Sequence, residues 1–577
     1  MAEAKTAALR RQPRNITLGV DDPVPPPAAF AIALQHVVAV TASLVYAILI
    51  AQAAGSDIGG THGLIQVTVA VSGVTTILMC LKRGPIGCGY LCPSLGSPTY
   101  LAPSLLAAGL GGLPLVYGML IFGSVIQVLL SRVIQRLRSL LTSEVSGVII
   151  TMVGVSLVPK GVALIAGYDE ITPTAKPAES LVGLVTLAVI CAVTVWGGAR
   201  FRAYSILVGV AIGYLMALPL GLLAEESMTF WRAAAIFGMP AFHAPWNLRF
   251  EADLILPFAI AALVVTVKGI GVISTAQKIN DQAWTTPEMG SVRGGLLANG
   301  IGCLLAGLAG GIGVAPQAGN VGLSLATGVT SRVVGIAVGG LLILLAFSPL
   351  LTAVFVIMPA PVMGAVLIYI ACFVIVSGLQ LVMSHTMTTR SILTIGVPLV
   401  AGLSVDFLPE LYDTLPPALD SLTGSPLAFA SVVAVLLNLL FRIAIWRRAA
   451  LALDPKDRSN RQLSAFLAEQ GAEWSLPGFL VRDATETVIE ALDVALADAD
   501  HSPVALELRY DQIVLEVTLR YRGPPIELPS APPEPRALVD DPAAVARLSG
   551  FLIRQATTEV SQRQDGEENL LRLRFAS

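Results

Sequence analysis

Apolar positions dominate most of the chain and are interrupted at intervals by short polar or glycine-rich stretches. A helix needs about 20 residues to cross a bilayer, and most of the apolar stretches approach that length. The windows 99–109 and 319–329 are too short to be whole crossings. The pattern therefore predicts a polytopic membrane protein whose spanning part is all-α. The fourteen apolar windows are 30–53, 64–81, 99–109, 113–131, 145–165, 180–197, 203–222, 254–275, 294–310, 319–329, 333–357, 361–383, 391–405 and 426–446.

Composition supports this class and divides the chain. The mean hydropathy of the 577 residues is +0.76 and only 13% are charged, which is too apolar for a soluble protein. The last 124 residues hold 21 of the 39 acidic side chains. We interpret residues 1–27 as a cytoplasmic N-terminal arm, 28–450 as a transmembrane domain and 454–577 as a soluble cytoplasmic domain. The net charge of −3 offers no basic face for nucleic acid.

The loops between the windows alternate in the sign of their charge. Basic loops contain Lys82, Arg83, Arg132, Arg138, Arg200, Arg202, Lys278, Arg293, Arg332, Arg390, Arg447 and Arg448, and acidic loops contain Asp169, Glu170, Glu225, Glu226, Glu251, Asp253, Asp406 and Asp420. By the positive-inside rule the basic side is cytoplasmic. We expect an inner or plasma membrane protein, embedded in the lipid bilayer, with both termini in the cytoplasm.

The two short windows occupy corresponding places, third in the first seven windows and third in the second seven. Each follows a glycine- and proline-rich stretch, 92–99 in one half and 311–320 in the other. Paired broken segments of this kind indicate a seven-plus-seven inverted repeat with a substrate site near mid-membrane. Unwound backbone there needs protein or a water-lined cavity around it, and helix N-termini offer free N–H groups.

These broken segments supply the first candidate binding residues. Ser97 and Thr99 begin one half-helix, where each is either a helix cap or a substrate ligand. Gln317, Ala318 and Gly319 begin the other half-helix and would bind chiefly through backbone N–H groups. Gln317 alone among these three has a side chain that discriminates between substrates.

Three motifs resemble the nucleobase/ascorbate transporter family, the xanthine and uracil permeases. Asn320-Val-Gly-Leu-Ser-Leu-Ala-Thr-Gly328 is similar to the family signature, Gln35-His36 looks like its Gln-His pair, and Met358–Gly364 resembles the entry to its twelfth helix. The resemblance covers residues 28–448. It implies core and gate domains that move against each other, a homodimer and a symporter of a small-molecule substrate.

The sequence departs from that family at the binding positions. The resemblance implies a glutamate that holds the base and helps to couple protons, followed four residues later by a histidine. The corresponding residues here are Lys268 and Val272. None of the fourteen windows contains Asp or Glu, so coupling through an intramembrane carboxylate is not expected.

Lys268 has three interpretations. It could extend to the membrane surface, but Lys278 lies ten residues further on, which is about 15 Å along a helix. It could bond structurally to carbonyls of the broken segments. We favour a residue that faces the cavity and attracts an anionic substrate such as urate or xanthine.

Four polar residues are candidates for coupling or structural support. His36 is a candidate for proton coupling, and a lone histidine on an apolar helix also commonly bonds to a neighbouring helix. Gln35 and Thr327 belong to the motifs that carry the resemblance. Asn320 is expected to brace the unwound segment.

Helix-like and strand-like patterns alternate after residue 460. Residues 483–495 predict a helix, and 504–508, 513–521 and 570–575 alternate like strands. The layout resembles the ATPase-like domain of anti-sigma-factor kinases, a histidine-kinase-type fold, giving a small α/β domain. Val494 replaces the asparagine that binds magnesium in that family, and Tyr521 replaces its adenine-binding aspartate. We expect a degenerate module without cofactor that docks a cytoplasmic protein, stabilises the dimer or regulates transport.

Three functions remain open. The first is a secondary active transporter of a nucleobase or related heterocycle such as xanthine, urate or uracil, which is carried either neutral or as an anion. The second is a transporter of inorganic or small organic anions of the sulfate-permease type, and the third is a non-transporting membrane sensor. No nucleophile–base pair, phosphate loop or metal motif indicates an enzyme. The six cysteines fit buried small hydrophobes better than metal ligands.

Overall fold

The computed structural model divides into two units, residues 1–438 and 439–577. The described residues are 12–14, 16–82, 84–137, 142–168, 174–198, 204–223, 225–240, 242, 247–282, 284, 287–383, 387–412, 425–442, 447–453, 460–474, 476, 478–495, 504–510, 514–529, 531–533, 542–565 and 568–576. Several charges of the predicted loops, among them Asp169, Glu170, Arg200 and Asp420, lie outside these ranges.

The first unit is almost wholly helical. Its elements are α1 Pro26–Thr41, α2 Val45–Ala53, α3 Ile58–Cys80, β1 Ser94–Gly96, α4 Pro98–Leu137, α5 Ser143–Val155, α6 Val158–Ala166, α7 Pro177–Trp196, α8 Ser205–Ala217, α9 Glu225–Ala233, α10 Ile255–Lys278, α11 Met289–Ala309, β2 Val314–Pro316, α12 Ala318–Thr327, α13 Arg332–Ala346, α14 Pro349–Val356, α15 Ala360–Val382, α16 Thr389–Phe407, α17 Pro409–Tyr412 and α18 Pro426–Arg442.

Each predicted apolar window overlaps one or two of these helices. Among the described residues, nine helical segments are long and apolar enough to cross a membrane. A tenth is the pair α13 and α14, which bends by 83°. Helices α8 and Pro426–Phe441 are apolar but shorter. The chain is therefore a multi-pass membrane protein.

The two short windows correspond to two short helical pieces. The first piece opens α4, which breaks at Gly112, where φ is 69° and ψ is −168°. A residue without a side chain adopts that conformation most readily, so the window before the break is separated from the one after it. The second piece is α12, only 10 residues long, which ends at Gly328 in the left-handed conformation.

The segment before α1 packs against the end of α12. Leu18 bridges to Val329, the N–H of Thr17 donates to the carbonyl of Gly328 at 2.8 Å, and the Ser331 hydroxyl donates to the carbonyl of Asp22 at 2.7 Å. The described part of the predicted N-terminal arm is thus a packed element of the membrane unit. It fixes the C-terminal end of the second half-helix.

The second unit is a two-layer α/β domain. Its elements are β3 Arg447–Leu453, α19 Asn460–Glu473, α20 Gly478–Ala495, β4 Val504–Tyr510, β5 Val514–Arg522, α21 Pro542–Ala556, β6 Glu559–Asp565 and β7 Glu568–Ala576. The strands form one antiparallel sheet in the order β3-β4-β5-β7-β6. Helix α20 packs on β5 and β7 and contacts both other helices.

The predicted helix and strands of the tail fall on α20, β4, β5 and β7, apart from residue 513, which lies outside the described ranges. The predicted start of the soluble domain at residue 454 is too late, because β3 ends at Leu453 and pairs with β4 over its whole length. Its short alternation of alanine and leucine follows an apolar helix and resembles a continuation of it.

The cysteines divide into two groups. Cys80, Cys88, Cys92 and Cys303 are buried, as expected of small hydrophobes, whereas Cys191 on α7 and Cys372 on α15 are exposed. No cluster of three or more potential metal ligands occurs within the described parts of the chain.

Candidate substrate-binding site

The two broken segments meet in a short antiparallel ribbon. Ser94 pairs with Pro316, Leu95 with Ala315 and Gly96 with Val314, and all six residues are buried. Two further backbone bonds extend the ribbon, from the N–H of Ser97 to Gly313 at 2.9 Å and from the N–H of Gln317 to Pro93 at 3.0 Å. The backbone polar groups that each broken segment leaves outside a helix are thereby bonded to the other segment.

Close approach of backbone at the ribbon depends on two glycines. A Cβ on Gly96 would lie 2.9 Å from the carbonyl oxygen of Ser43, and a Cβ on Gly313 would lie 2.3 Å from Tyr100 Cδ2. The turn before α2 and helix α4 could not pack this closely on the ribbon with larger residues there.

The first half-helix begins at Ser97. Its hydroxyl accepts from the N–H of Thr99 at 3.3 Å, the arrangement of a helix N-cap. Ser97 and Thr99 are both buried. Of the two roles expected for Ser97, cap and ligand, this bond supplies the first.

The second half-helix presents its first turn differently. Ala318 and Gly319 are exposed, and no atom lies within 4 Å of a Cβ built on Gly319. Gln317 occupies the N-cap position without a capping bond. Its amide instead donates to the carbonyls of Gly96 at 3.0 Å and Leu95 at 3.4 Å. The Gln317 side chain therefore ties the second half-helix to the first broken segment.

His36 and Asn320 form a buried pair. His36 Nδ1 lies 2.9 Å from Asn320 Oδ1, so the ring nitrogen is the donor and α1 is attached to the first turn of α12. His36 Nε2 has no partner among the described residues. Gln35 is half-buried beside this pair. Thr327 donates to the carbonyls of Leu323 and Ser324, which stabilises the last turn of the same helix.

Three residues that the sequence analysis did not select support the ribbon from α3 and α11. The N–H of Ser94 donates to Thr76 Oγ1 at 3.0 Å. The carbonyl of Val314 accepts from Asn299 Nδ2 at 3.2 Å and from Cys303 Sγ at 3.1 Å. An asparagine inside an apolar window was a detectable signal for Asn299, whereas threonine and cysteine are too common in such windows to be one.

Lys268 lies on α10, the helix that contacts both β2 and α12. Toward the start of α10, Ile260 and Val264 are buried in an apolar cluster with residues of α5. Toward its end, Gly271 and Thr275 on the same helical face are exposed. Lys268 is partly buried at this transition, where a closed apolar interface gives way to open space.

No hydrogen bond or ion pair reaches Lys268 from the part of the chain that the structure describes. A second cation within an apolar window, Lys160, differs in position. It is exposed and lies six residues before the end of α6, about 9 Å along the helix, which its side chain can largely bridge. Lys268 lies ten residues before the end of α10, too far for its side chain to reach that end.

Membrane-length helices around two crossed, broken segments define a polytopic transport protein. The chain belongs to the Permease family, the xanthine/uracil permeases, whose family model matches residues 27–411. The protein is thus a nucleobase transporter and not an enzyme.

Curated relatives agree with this assignment, and a solved structure shares the fold. The chain is 28% identical to the xanthine permease XanP of Escherichia coli over 455 residues, covering 76% of this chain and 98% of that protein. It is 28% identical to the uric acid permease PucJ of Bacillus subtilis, covering 72% and 92%. The structure of the murine anion transporter Slc26a9 in its inward-facing state has a TM-score of 0.50 at 13% identity, covering 74% of this chain and 70% of that one, which shows a shared fold.

Proposed function

We propose that the protein moves a purine base such as xanthine or urate through a site at the first turn of α12. The observation that carries this proposal is the ribbon between β1 and β2, which holds two half-helix N-termini together. Helix α10, which carries Lys268, contacts β2 and the second half-helix. The exposed first turn at Ala318 and Gly319 offers unpaired N–H groups to a base. The names of the relatives, xanthine permease and uric acid permease, support a purine.

Each predicted site residue has a place in this proposal. Ala318 and Gly319 would contact the base directly, and Lys268 would face it from α10. Ser97 caps the first half-helix, and Thr99 follows it in the first turn, so these two orient the opposite dipole. Gln317, Asn320 and His36 keep the second half-helix in position, while Gln35 and Thr327 support the ends of this assembly.

The working cycle would be alternating access in a seven-plus-seven inverted repeat. The fourteen windows give this count when α4 is divided at Gly112 and α13 with α14 is taken as one crossing. The helices around the ribbon would form the core and move against a gate that includes α5 and α15. Ile260 and Val264 on α10 would slide past α5 during that motion.

The surroundings of the unit follow from charge and composition. We propose an inner or plasma membrane location with both termini in the cytoplasm, and a homodimer. The tail would dock a cytoplasmic protein, stabilise the dimer or regulate transport, as a degenerate ATPase-like module.

A second candidate is transport of small anions of the sulfate-permease type. Lys268 favours it, because an ammonium facing the half-helix N-termini would attract any anion. A purine permease and an anion permease differ in whether sulfate or bicarbonate competes with xanthine. A non-transporting sensor would bind a ligand without moving it.

Uptake into proteoliposomes tests the proposal. The panel contains radiolabelled xanthine, urate, hypoxanthine, uracil and sulfate, and binding is measured in parallel by thermal stabilisation. Gly319→Leu would fill the open first turn of α12 and is expected to abolish purine binding. Gly340→Leu is the matched control, because a Cβ at Gly340 on α13 also meets no atom within 4 Å. Equal loss in both variants, or transport of sulfate alone, would refute the purine site.

A further inference from the structure

The charges along the apolar windows are unbalanced. The fourteen windows contain no Asp or Glu, and the acidic residues that begin α5 and α7 stand at helix ends. Lys268 is the cation on the helix that contacts β2 and α12. The exposed first turn of α12 adds the partial positive charge of a helix N-terminus.

Nothing in the described chain neutralises this positive charge. Hydrogen bonds and ion pairs to Lys268 are absent from the described residues, and Gly271, one turn away, opens onto space in which a Cβ would meet no atom within 4 Å. An ammonium partly withdrawn from water is stabilised by an anion in hydrogen-bond contact. The missing anion therefore has to come from outside the chain.

We propose that the site takes its purine as the monoanion, with the Lys268 ammonium as counter-charge, and carries it without a co-transported proton or cation. This inference rests on the proposed function and deepens it by naming the charge of the substrate. It differs from the symport that the family resemblance implies, since no intramembrane carboxylate is available to carry a proton and the His36 ring is held by its bond to Asn320.

The charge balance of the cycle follows directly. The loaded site is neutral, because the ammonium and the purine anion cancel. The empty site returns with one positive charge. One complete cycle thus moves one negative charge in the direction of the purine. A membrane potential that is negative inside drives the purine outward, so the protein acts as an exporter of anionic purine when no opposing gradient exists.

The first experiment measures binding to the full-length protein in detergent at neutral pH. Urate is largely an anion there and hypoxanthine is neutral, and the two rings have similar size. Lys268→Gln is expected to weaken the affinity for urate at least about tenfold, because a charge-assisted hydrogen bond is lost. The affinity for hypoxanthine is expected to stay within about twofold of wild type.

Two further variants test whether the charge at position 268 determines the substrate preference. Lys268→Arg is expected to retain the urate preference, and Lys268→Glu is expected to reverse it in favour of hypoxanthine. Thermal unfolding of each variant reports whether it folds, and Lys268→Arg keeps the test valid if the uncharged variant does not. Equal affinities for the two bases in wild type and in Lys268→Arg would overturn the proposal.

The second experiment measures charge movement. Proteoliposomes on a solid-supported membrane receive a jump of urate, and the expected current is negative charge moving with the urate. The current is expected to persist when an ionophore collapses the proton gradient. Electroneutral urate uptake, or uptake that stops with the ionophore, would overturn the proposal.

The outcomes separate the two levels of inference. If wild type neither binds nor moves any purine, the proposed function fails and this inference fails with it. If wild type binds urate and hypoxanthine equally and Lys268→Gln changes neither, the purine function stands and the anionic substrate is refuted.

Discussion

His36 Nδ1 donates to Asn320 Oδ1 at 2.9 Å across 284 residues of chain. The bond joins the first membrane helix to the first turn of the half-helix that opens the candidate site, and it is buried. Because Asn320 Oδ1 accepts, the ring is held in one orientation with Nε2 left over. His36 is therefore a positioning residue for α12.

Two replacements of His36 should distinguish the contribution of its hydrogen bond from that of its ring. His36→Leu leaves Asn320 Oδ1 buried without a donor, which costs about 1–3 kcal/mol, so we expect a lower thermal midpoint and weaker purine binding. His36→Asn retains a donor near the Nδ1 position and should recover most of both. Thermal unfolding in detergent and purine affinity are the measurements. If His36→Asn is as impaired as His36→Leu, the bond to Asn320 is not what His36 provides.

Gly313 and Gly322 form a matched pair of glycines. A Cβ at Gly313 would overlap Tyr100, whereas a Cβ at Gly322 meets no atom within 4 Å. Overpacking typically costs about 1–3 kcal/mol, so Gly313→Ala should lower the thermal midpoint and the yield of folded protein. Gly322→Ala should leave both unchanged. Size-exclusion profiles and melting curves check this, and equal behaviour of the two variants would contradict the packed ribbon.

Gln317 should affect all substrates alike. Its amide nitrogen donates to the carbonyls of Gly96 and Leu95, so Gln317→Ala removes a bond between the two broken segments. The affinities for xanthine, urate and hypoxanthine should fall by similar factors. Gln317→Glu places an acceptor against those carbonyls and should be more harmful than Gln317→Ala. A competition assay with the three bases measures the relative affinities. A change in preference among them would instead assign Gln317 a direct contact with the substrate.

The effect of truncating the tail should depend on whether β3 is retained. A stop after residue 446 removes the whole sheet, and we expect the membrane unit to fold and bind purine. A stop after residue 453 leaves β3 without β4, its partner over seven residue pairs. An unpaired apolar strand edge promotes association between chains, so the longer fragment should aggregate more. Light scattering of the two fragments in the same detergent is the measurement, and greater aggregation of the shorter fragment would contradict the assignment of β3 to the sheet.

Sequence pattern predicted the helices well because apolar length is a strong signal for a membrane helix. The windows on either side of Gly112 were separated correctly, since glycine and proline cluster there. The start of the tail was placed too late because β3 has only five apolar residues, Ala449 to Leu453, which follow an apolar helix. So short an apolar run does not distinguish strand from helix.

The site was predictable in outline and not in its contacts. Broken segments in register predicted the two half-helices, which the ribbon joins, and Lys268 was conspicuous because a charge in an apolar window is costly. The partners were not predictable, because the pairing of His36 with Asn320 and of Gln317 with Gly96 depends on contacts between distant halves of the chain. Thr76 and Asn299 bond to the broken segment of their own half. Thr76 was missed because threonine is common in apolar windows, and Asn299 was missed although an asparagine in such a window is a detectable signal.

The ribbon also limits how the gene can change. Successive residues of a strand point to opposite sides, so an insertion or deletion of one residue in either arm would exchange the two sides of that arm and misplace the half-helix behind it. Each arm is matched residue for residue by the other. The two halves of this chain must therefore be inherited as a fitted pair, in which drift in one arm is tolerated only when the other accommodates it.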